Sequence, residues 1–363
     1  MPVPFHPEGV WTALVTPFDK NGKLDSPALK RLIEFQIAQG VTGVVPTGTT
    51  GESPSLSWDE HNRVVEETTV FVKERAGVLA GSGSNCTDEA IDATRHAREA
   101  GASAALLVDC YYNGPSSLEL RTEYYEQVAA WVKDIPIVPY IIPGRTGTAL
   151  GAEDMAILHR SSPERFPAVK QATGDLARMK QDRALAGETL AILSGDDDLT
   201  LAMIEDPAIR ASGVVSVMSN IVPGPLVKMV QACRAGNSAK AQALAAQLEP
   251  LFKLVVCKVP GTRTIPANAG QSAIRNPQSA IVEDRFRNPL PVKTMMAGLG
   301  MPVGLCRRPL GKMTKAGVER CRQALVTVQR SAPETLVPIA QAFGVNIEQR
   351  LADDAVWAEL TRT

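Results

Sequence analysis

Residues 77–108 read GVLAGSGSNCTDEAIDATRHAREAGASAALLV and contain a complete strand–helix–strand unit. Two short apolar runs, Gly77–Gly81 and Ser103–Val108, enclose a stretch, Thr87–Ala100, that opens with capping residues and has helical spacing. Two strands that are separated by a helix pair in parallel, because the helix provides the crossover between them. This stretch therefore predicts an α/β protein with a parallel sheet.

The same alternation of apolar runs and helical stretches recurs through the first two-thirds of the chain. No GxGxxG motif follows the first run, which argues against an open dinucleotide-binding sheet. Eight units of this kind fit a closed (β/α)8 TIM barrel better than an open doubly wound sheet. The predicted strands are Val10–Pro17, Gly43–Thr47, Gly77–Gly81, Ser103–Val108, Ile135–Ile141, Ala168–Gln171, Leu190–Leu193 and Gly213–Val217.

The C-terminal third has a different pattern, since no strand is predicted after about residue 222. We predict a barrel over residues 1–235 and a C-terminal helical region over 236–363, with an irregular insertion at 258–288 and a tail at 331–363. The insertion is rich in Pro, Gly, Asn and Arg and has no clear period. The predicted helices of this part are Pro225–Ala235, Ser238–Val256, Leu290–Leu299, Lys315–Arg330, Pro338–Phe343 and Glu348–Leu360.

Composition and charge exclude several classes of protein. The 363 residues include 38 Lys and Arg against 39 Asp and Glu, so no basic excess points to nucleic-acid binding. Hydrophobic residues make up 44% and charged residues 21% of the chain, which is enough apolar material for a large core. No apolar run reaches the roughly 18 residues of a membrane span, and the six cysteines form no CxxC pair. We expect a cytoplasmic protein with reduced cysteines.

Lys170 is the sharpest candidate for chemistry, since it lies within an otherwise apolar predicted strand. In a barrel the reactive groups lie at the C-terminal ends of the strands. Burial disfavours the ammonium form, and a neutral amine can attack a ketone to form a Schiff base. The alternative is a lysine at a strand end that points to solvent or pairs with Asp196.

Other polar residues follow the predicted strands at the same end of the barrel. The hydroxyls of Tyr140, Tyr112 and Thr49 would open onto one mouth, where a chain of hydroxyls can relay a proton. Arg145 has a planar fork suited to a carboxylate. Tyrosine is also a common strand residue, and Arg145 can be an ordinary surface arginine.

Two polar turns have less specific patterns. The Thr47–Ser53 turn can hold a carboxylate or a phosphate on its backbone N–H groups, or can simply connect a strand to a helix. Asp196–Asp198 resembles a metal site weakly, and a helix N-cap explains it better. The four histidines show no ligand spacing, so we expect no metal.

An ordered set of short motifs spans about residues 10–325. The motifs are Gly48–Ser53, Tyr111–Asn113, Tyr140 with Pro143, Arg145–Gly147, Val169–Gly174, Leu193–Asp197, Gly213–Val217 and Asn288–Lys293. In this order they resemble the dihydrodipicolinate synthases, within the N-acetylneuraminate lyase family of class I aldolases. The resemblance implies a TIM barrel, usually tetrameric, that uses pyruvate as a Schiff-base donor in the diaminopimelate pathway of lysine biosynthesis.

The resemblance also implies roles for individual residues. Lys170 would form the imine with pyruvate, so no separate cofactor is expected. Tyr140 would relay the proton, and Thr49 would link it to Tyr112 of a neighbouring subunit. The substrate-binding residues would be Thr50 for the pyruvate carboxylate, Arg145 for the carboxylate of the acceptor, Val215 for backbone contacts, and Gly195.

Some lysine-inhibited members of this family have an allosteric pocket at a subunit interface. Its positions match Trp58, His61, Asn85, Glu89 and Tyr111. Trp58 and His61 are three residues apart on one predicted helix, so simple packing is the alternative.

The chain departs from the family pattern in three places: Ile141-Ile142 replaces the usual Asn-Val, Gly114 replaces an Arg or Lys, and the insertion at 258–288 precedes Asn288. These departures allow an acceptor pocket that differs from the one usual in the family.

Our leading hypothesis is a lyase that condenses pyruvate with L-aspartate 4-semialdehyde. The alternatives are a lyase or dehydratase acting on a sugar-derived 2-keto acid, and a catalytically silent barrel that binds a small molecule. In each case we expect small-molecule ligands and a homo-oligomer, either a tetramer or a dimer.

Overall fold

Eight parallel strands close into a barrel in the computed structural model, which describes residues 3–266 and 278–362. The strands follow one another in chain order, and the first pairs with the eighth through Gly9–Thr12 and Gly213–Ser216. The predicted (β/α)8 barrel is confirmed, with strand ends within a few residues of those expected. The strands are β1 Gly9–Ala13, β2 Gly43–Val45, β3 Gly77–Gly81, β4 Ala104–Val108, β5 Ile137–Ile141, β6 Ala168–Gln171, β7 Ala191–Ser194 and β8 Gly213–Ser216.

Helices connect the strands and cover the outside of the barrel. The first shows why they form where they do: Asp25 accepts a hydrogen bond from the Ala28 N–H and caps it, and Leu29, Leu32 and Ile33 are buried on one face. The barrel helices are Ser26–Ala38, Trp58–Val72, Thr87–Glu99, Ser117–Glu119, the π-helical turn Leu120–Tyr125, Glu126–Trp131, Pro143–Thr146, Ala152–Ser161, Leu176–Ala186, Thr200–Glu205 and Pro223–Arg234. Short 3-10 turns lie at Ser53–Ser55 and Met218–Asn220.

A tryptophan closes the N-terminal end of the barrel. Trp11 is 1% exposed, and a Cβ on Gly43 or Gly77 would lie 2.2 Å or 2.4 Å from its ring. Glycine at these two positions gives the ring its space. The barrel interior next to Trp11 is filled by Val45, Leu106 and other small or branched residues. Because this end is packed, a binding site is expected at the opposite, C-terminal end of the strands.

The C-terminal region is helical and packs against the barrel and against itself. Trp357 is 3% exposed, and a Cβ on Gly298 would lie 2.2 Å from its ring, so the last helices seat tightly on the helix that contains Gly298. The predicted helix over 348–360 breaks at Asp353, whose carboxylate accepts from the Ala355 N–H and starts a new helix. The helices are Ser238–Phe252, Leu290–Leu299, Lys315–Ser331, the 3-10 turn Pro333–Thr335, Val337–Phe343, Ile347–Ala352 and Asp354–Glu359.

The predicted irregular insertion is wrong for the residues that the structure describes. Two antiparallel strands, β9 Val256–Ile265 and β10 Gln278–Arg287, pair along their whole length. Only the base of this hairpin packs on the protein, where Cys257 and Val259 are buried beside the helix Lys315–Ser331. The described part of the hairpin beyond its base has no buried face. Its sequence therefore alternates only weakly between apolar and polar residues, and no strand was predicted. Residues 267–277 of the insertion lie outside the described residues.

Among the described helices, none combines the length and the apolar character needed to cross a membrane.

Candidate active site

Lys170 lies inside the barrel on β6 and is 6% exposed. Its register partner on β5 is Tyr140, and the Lys170 Nζ lies 3.7 Å from the centroid of the Tyr140 ring. A lysine in this position is removed from water and faces an aromatic ring. The expectation that Lys170 is buried in the strand is therefore confirmed, and the solvent-facing alternative is wrong.

The segment directly after β7 supplies an acid and a glycine beside this amine. The pKa of Asp196 is raised to about 6, mainly by burial and also by the charge of Asp198, while the charge of Lys170 opposes the rise. The Asp196 Oδ2 atom is buried without a hydrogen-bond partner. A Cβ on Gly195 would lie 3.2 Å from the Lys170 Cε and 2.6 Å from the Ala172 Cβ. Gly195 therefore leaves room for the lysine side chain to extend.

A cavity of about 210 Å³ opens at the C-terminal end of the barrel. Its polar lining includes Thr49, Tyr140, Arg145 and Tyr111, and its apolar walls include Leu106. Four of the strand-end motifs predicted from the sequence thus meet at one cavity. Its volume suits a small substrate rather than a polymer.

The Thr47–Ser53 turn is held in an unusual backbone conformation. Thr47 has a φ of 53°, and its hydroxyl donates to the Gly81 carbonyl at 2.8 Å. The Thr16 hydroxyl donates to the Gly51 carbonyl at 2.6 Å. The Thr50 hydroxyl accepts from the Asn288 side-chain amide at 2.8 Å, and both residues are buried. The turn is therefore tied to β3, to the loop after β1 and to the C-terminal region.

A buried ion pair anchors the end of the same turn. The Lys293 Nζ lies 2.7 Å from the Glu52 Oε1, and both side chains are 1% exposed. Lys293 also donates to the Thr16 carbonyl at 3.0 Å, and the Arg307 N–H donates to the Glu52 Oε2 at 2.8 Å. Residue-by-residue reasoning assigned no role to Glu52 or Lys293, although both lie within the quoted motifs.

Arg145 extends from the short helix Pro143–Thr146 toward the C-terminal region. Its Nη2 donates to the Asn288 carbonyl at 2.9 Å, and the Nη1 of Arg287 donates to the Gly144 carbonyl at 2.9 Å. Desolvation lowers the pKa of Arg145, the Tyr140 charge opposes this, and the positive charge of Arg287 lowers it further. No sequence pattern singles out Arg287, and the one clue to it is its position next to the Asn288–Lys293 motif.

Two predicted site residues occupy different surroundings from this group. Tyr112 is 90% exposed, with a φ of 78°, and is not in the lining of the cavity of its own chain. Val215 lies on β8 and is buried among the interior residues that include Tyr140. A single chain therefore brings together Lys170, Tyr140 and Arg145 without Tyr112.

A second cavity, of about 170 Å³, adjoins the first. Trp58, His61, Glu89 and Tyr111 line it, and Asn85 is next to the lining residue Ser84. The His61 Nε2 lies 2.8 Å from the Gly81 carbonyl, and burial lowers the pKa of His61, which favours the neutral ring. The Trp58 and His61 rings meet edge to face at 5.0 Å. The five predicted residues therefore lie close together. Trp58 and His61 pack against each other on their helix and also line the cavity.

The Asp196–Asp198 run has a structural role that the sequence did not indicate. Asp197 is buried, accepts from the Ser216 hydroxyl, and accepts from the N–H groups of Val217 and Met218 at 3.0 Å and 3.1 Å. Its carboxylate thus holds the turn after β8, and the predicted cap of the run's own helix is wrong for this side chain. Residues 3–266 and 278–362 contain no group of three or more His, Cys, Asp or Glu placed to hold a metal ion.

A closed (β/α)8 barrel with a lysine buried on its sixth strand, against a tyrosine that lines a small cavity, defines a class: a barrel enzyme of the class I aldolase type. Residues 6–277 match the dihydrodipicolinate synthetase family, and the chain belongs to this family.

Individual relatives agree with this assignment. The chain is 41% identical over 318 residues to 4-hydroxy-tetrahydrodipicolinate synthase of Methanothrix thermoacetophila, covering 87% of this chain and 95% of the relative. The structure of the same enzyme from Methylacidiphilum fumariolicum SolV matches with a TM-score of 0.77 at 33% identity, covering 93% of this chain and 99% of that chain. A crystal structure of DHDPS from Cyanidioschyzon merolae with lysine bound matches with a TM-score of 0.76 at 30% identity, covering 89% and 99%.

Proposed function

We propose that this protein condenses pyruvate with L-aspartate 4-semialdehyde through a Schiff base on Lys170. The observation that carries the proposal is the Lys170 amine, buried 3.7 Å from the Tyr140 ring centroid below a cavity that Arg145 lines. A desolvated amine is suited to attack the ketone of pyruvate, and a guanidinium is suited to hold a carboxylate. Relatives of the chain are named 4-hydroxy-tetrahydrodipicolinate synthase, and the family to which the chain belongs acts in lysine biosynthesis.

The chemistry begins with attack of the Lys170 amine on the pyruvate ketone. The carbinolamine that forms loses water to give an imine, and loss of a methyl proton gives the enamine. The enamine carbon then attacks the aldehyde carbon of the acceptor, and hydrolysis of the new imine frees the lysine. These steps move protons at the amine, where Tyr140 is the adjacent hydroxyl-bearing residue, and Thr49 lines the same cavity. The covalent imine makes an external cofactor unnecessary.

Thr50 is suited to bind the pyruvate carboxylate because of its partner. Its hydroxyl oxygen accepts from the Asn288 amide, so its own proton remains available to donate. The backbone N–H groups of the Thr47–Ser53 turn add further donors for an anion. Gly195, directly after β7, contributes space beside Lys170, and Val215 on β8 contributes backbone surface.

Tyr112 completes the proton relay in the proposal, but from a neighbouring copy of the chain. A tyrosine that is 90% exposed and held at a φ of 78° costs free energy unless a partner uses it. We therefore propose a homo-oligomer, a dimer or tetramer, in which Tyr112 crosses into the next site.

The second cavity is proposed as a regulatory lysine site. Glu89 supplies a negative charge for an ammonium group, and Trp58, Tyr111 and His61 supply the walls. The related DHDPS from Cyanidioschyzon merolae has been crystallised with lysine bound. The shared lining residues Ser53, Pro54 and Tyr111 place this cavity directly beside the first.

A panel of acceptors assayed with pyruvate tests the proposed reaction. We expect turnover with L-aspartate 4-semialdehyde, and we expect Arg145→Ala to lose most of it, about tenfold or more in kcat/KM, because a charge-assisted carboxylate contact is removed. Turnover only with sugar-derived 2-keto acids, unaffected by Arg145→Ala, would assign the protein to the alternative lyase or dehydratase reaction. Pyruvate binding without any turnover would indicate a silent barrel.

A further inference from the structure

The Arg145 guanidinium, which lines the cavity, has a second guanidinium as a neighbour, that of Arg287 from the hairpin. Each donates to the backbone carbonyl of the residue next to the other: Arg145 to Asn288 and Arg287 to Gly144, both at 2.9 Å. This reciprocal arrangement holds the two side chains beside each other. Burial is the main cause of the lowered pKa of Arg145, and the positive charge of Arg287 lowers it further, as expected for neighbouring cations.

Among the residues that the structure describes, neither cation has an acidic partner. The hairpin carboxylate of Asp284 pairs with a different arginine, Arg263. Neither Arg145 nor Arg287 forms an ion pair with any described acidic residue, and both have only carbonyl acceptors. Two adjacent positive charges without a counter-charge repel, and a bound anion offsets that repulsion.

The hairpin fixes Arg287 rather than leaving it on a free loop. Arg287 is the last residue of β10 and pairs with Val256 of β9. The next residue, Asn288, donates its N–H to the Val255 carbonyl at 2.9 Å and is 6% exposed. The base of the insertion therefore presents the guanidinium to the Gly144–Arg145 loop at a set position.

We propose that Arg287 binds the carboxylate of the acceptor together with Arg145, so that the two carboxylate oxygens face two guanidinium groups. This inference rests on the proposed function and makes Arg287 a specificity-determining residue contributed by the insertion. It predicts preference for acceptors that carry a carboxylate close to the aldehyde. The substrate pyruvate is held separately, at Thr50 and Lys170.

Arg287→Gln, Arg287→Lys and Arg285→Gln test the proposal in the full-length protein. Arg285 is the matched control, since it is an exposed arginine two residues earlier on the same strand and the same hairpin face. For Arg287→Gln we expect the KM for L-aspartate 4-semialdehyde to rise about tenfold or more, with kcat within about threefold and the KM for pyruvate unchanged. Arg287→Lys should recover part of the loss, and Arg285→Gln should match the wild type.

Three results would overturn the proposal. They are an unchanged acceptor KM in Arg287→Gln, an equal rise in the KM for pyruvate, and identical behaviour of the Gln and Lys variants. The last two would mean that Arg287 only positions the loop through the Gly144 carbonyl. Failure of the proposed function can be distinguished from these results in the wild-type protein. If the proposed function is wrong, the wild type itself will show no borohydride-trapped pyruvate or no turnover with L-aspartate 4-semialdehyde.

Discussion

Buried charged residues hold the Thr47–Ser53 turn in place. Lys293 and Glu52 form a pair with both side chains 1% exposed, and the Glu52 backbone has a φ of 58°. The positive φ shows that the turn needs support, since few non-glycine residues adopt this conformation. Lys293, on the first helix after the hairpin, provides it. The positions of Thr49 and Thr50 therefore depend on a residue far away in sequence.

Removing one partner of this pair should be costly. In Lys293→Met the Glu52 carboxylate stays buried without its cation, and we expect the free energy of unfolding to fall by about 3–5 kcal/mol. The double variant Glu52→Gln with Lys293→Met removes both charges and should recover a large part of that loss. Urea unfolding of the three proteins checks this. Equal stability of Lys293→Met and the wild type would contradict the role of the pair.

Asp109 at the end of β4 gives a prediction about pH. Burial raises its pKa from 3.8 to about 7, opposed by hydrogen bonds from the Tyr125 hydroxyl at 2.6 Å and the Leu150 N–H at 3.2 Å. The folded state therefore keeps a proton that the unfolded state releases above about pH 4, so the stability due to this proton is lost as the pH rises through about 7. Each pKa unit corresponds to about 1.4 kcal/mol.

Asp109→Asn carries no charge and should escape this loss. We expect the unfolding free energy of the variant, relative to that of the wild type, to increase between pH 5 and pH 8, because the wild type is still losing this stability up to about pH 7. Unfolding curves at the two pH values measure the difference. A stability gap that does not grow with pH would mean that Asp109 is not held protonated.

Some site residues could be predicted from the sequence and others could not. Lys170 was predictable because one charged residue in an apolar strand is a local pattern. The roles of Asn288 and Arg287 were not, because their contacts to Thr50 and Gly144 span 238 and 143 residues of sequence. No local period encodes such a contact. Only the family motif pointed to Asn288.

The hairpin formed by β9 and β10 is joined to the rest of the protein through its base. Its base is fixed, since Phe286 packs against Gly317 and the Arg320 guanidinium donates to the Lys258 carbonyl at 2.6 Å. Farther out, Thr262, Arg263 and Thr264 are exposed. The barrel strands were predictable because both of their faces are buried, whereas this ribbon has little buried surface to produce a pattern.

The outer half of the hairpin should be dispensable for folding. Pro260 and Glu283 are paired across the two strands, so residues 261–282 can be replaced by an Asn-Gly turn. We expect the free energy of unfolding to change by less than about 1 kcal/mol, because none of the described side chains in this segment is buried. Phe286→Ala, at the base, should cost more. Thermal unfolding compares the variants, and a large loss on shortening would show that the outer half stabilises the fold.

At the scale of the whole molecule, one predicted site residue lies apart from the others. Tyr140, Thr49 and Arg145 line one cavity and Lys170 lies against the Tyr140 ring, but Tyr112 is 90% exposed and outside the lining. The barrel and its active end followed from the strand pattern, whereas the proposed role of Tyr112 depends on a second copy. A sequence pattern describes one chain and does not encode how copies meet.

Mixing two inactive variants tests whether Tyr112 crosses between copies. Tyr112→Phe keeps the lysine but lacks the hydroxyl, and Lys170→Ala keeps the hydroxyl but lacks the amine. When the two are unfolded and refolded together, hybrid oligomers should contain sites with Lys170 from one chain and Tyr112 from the other, and activity should reappear. Activity that stays at the level of the separate variants would contradict the shared site.

A Schiff base between Lys170 and pyruvate can be trapped by reduction. Pyruvate and borohydride are added to the protein, and the peptide that carries the adduct is identified by mass spectrometry. We expect one reduced pyruvate adduct on Lys170 in the wild type and none in Lys170→Ala. A wild-type protein without an adduct, or with the adduct on another lysine, would show that Lys170 is not the Schiff-base residue.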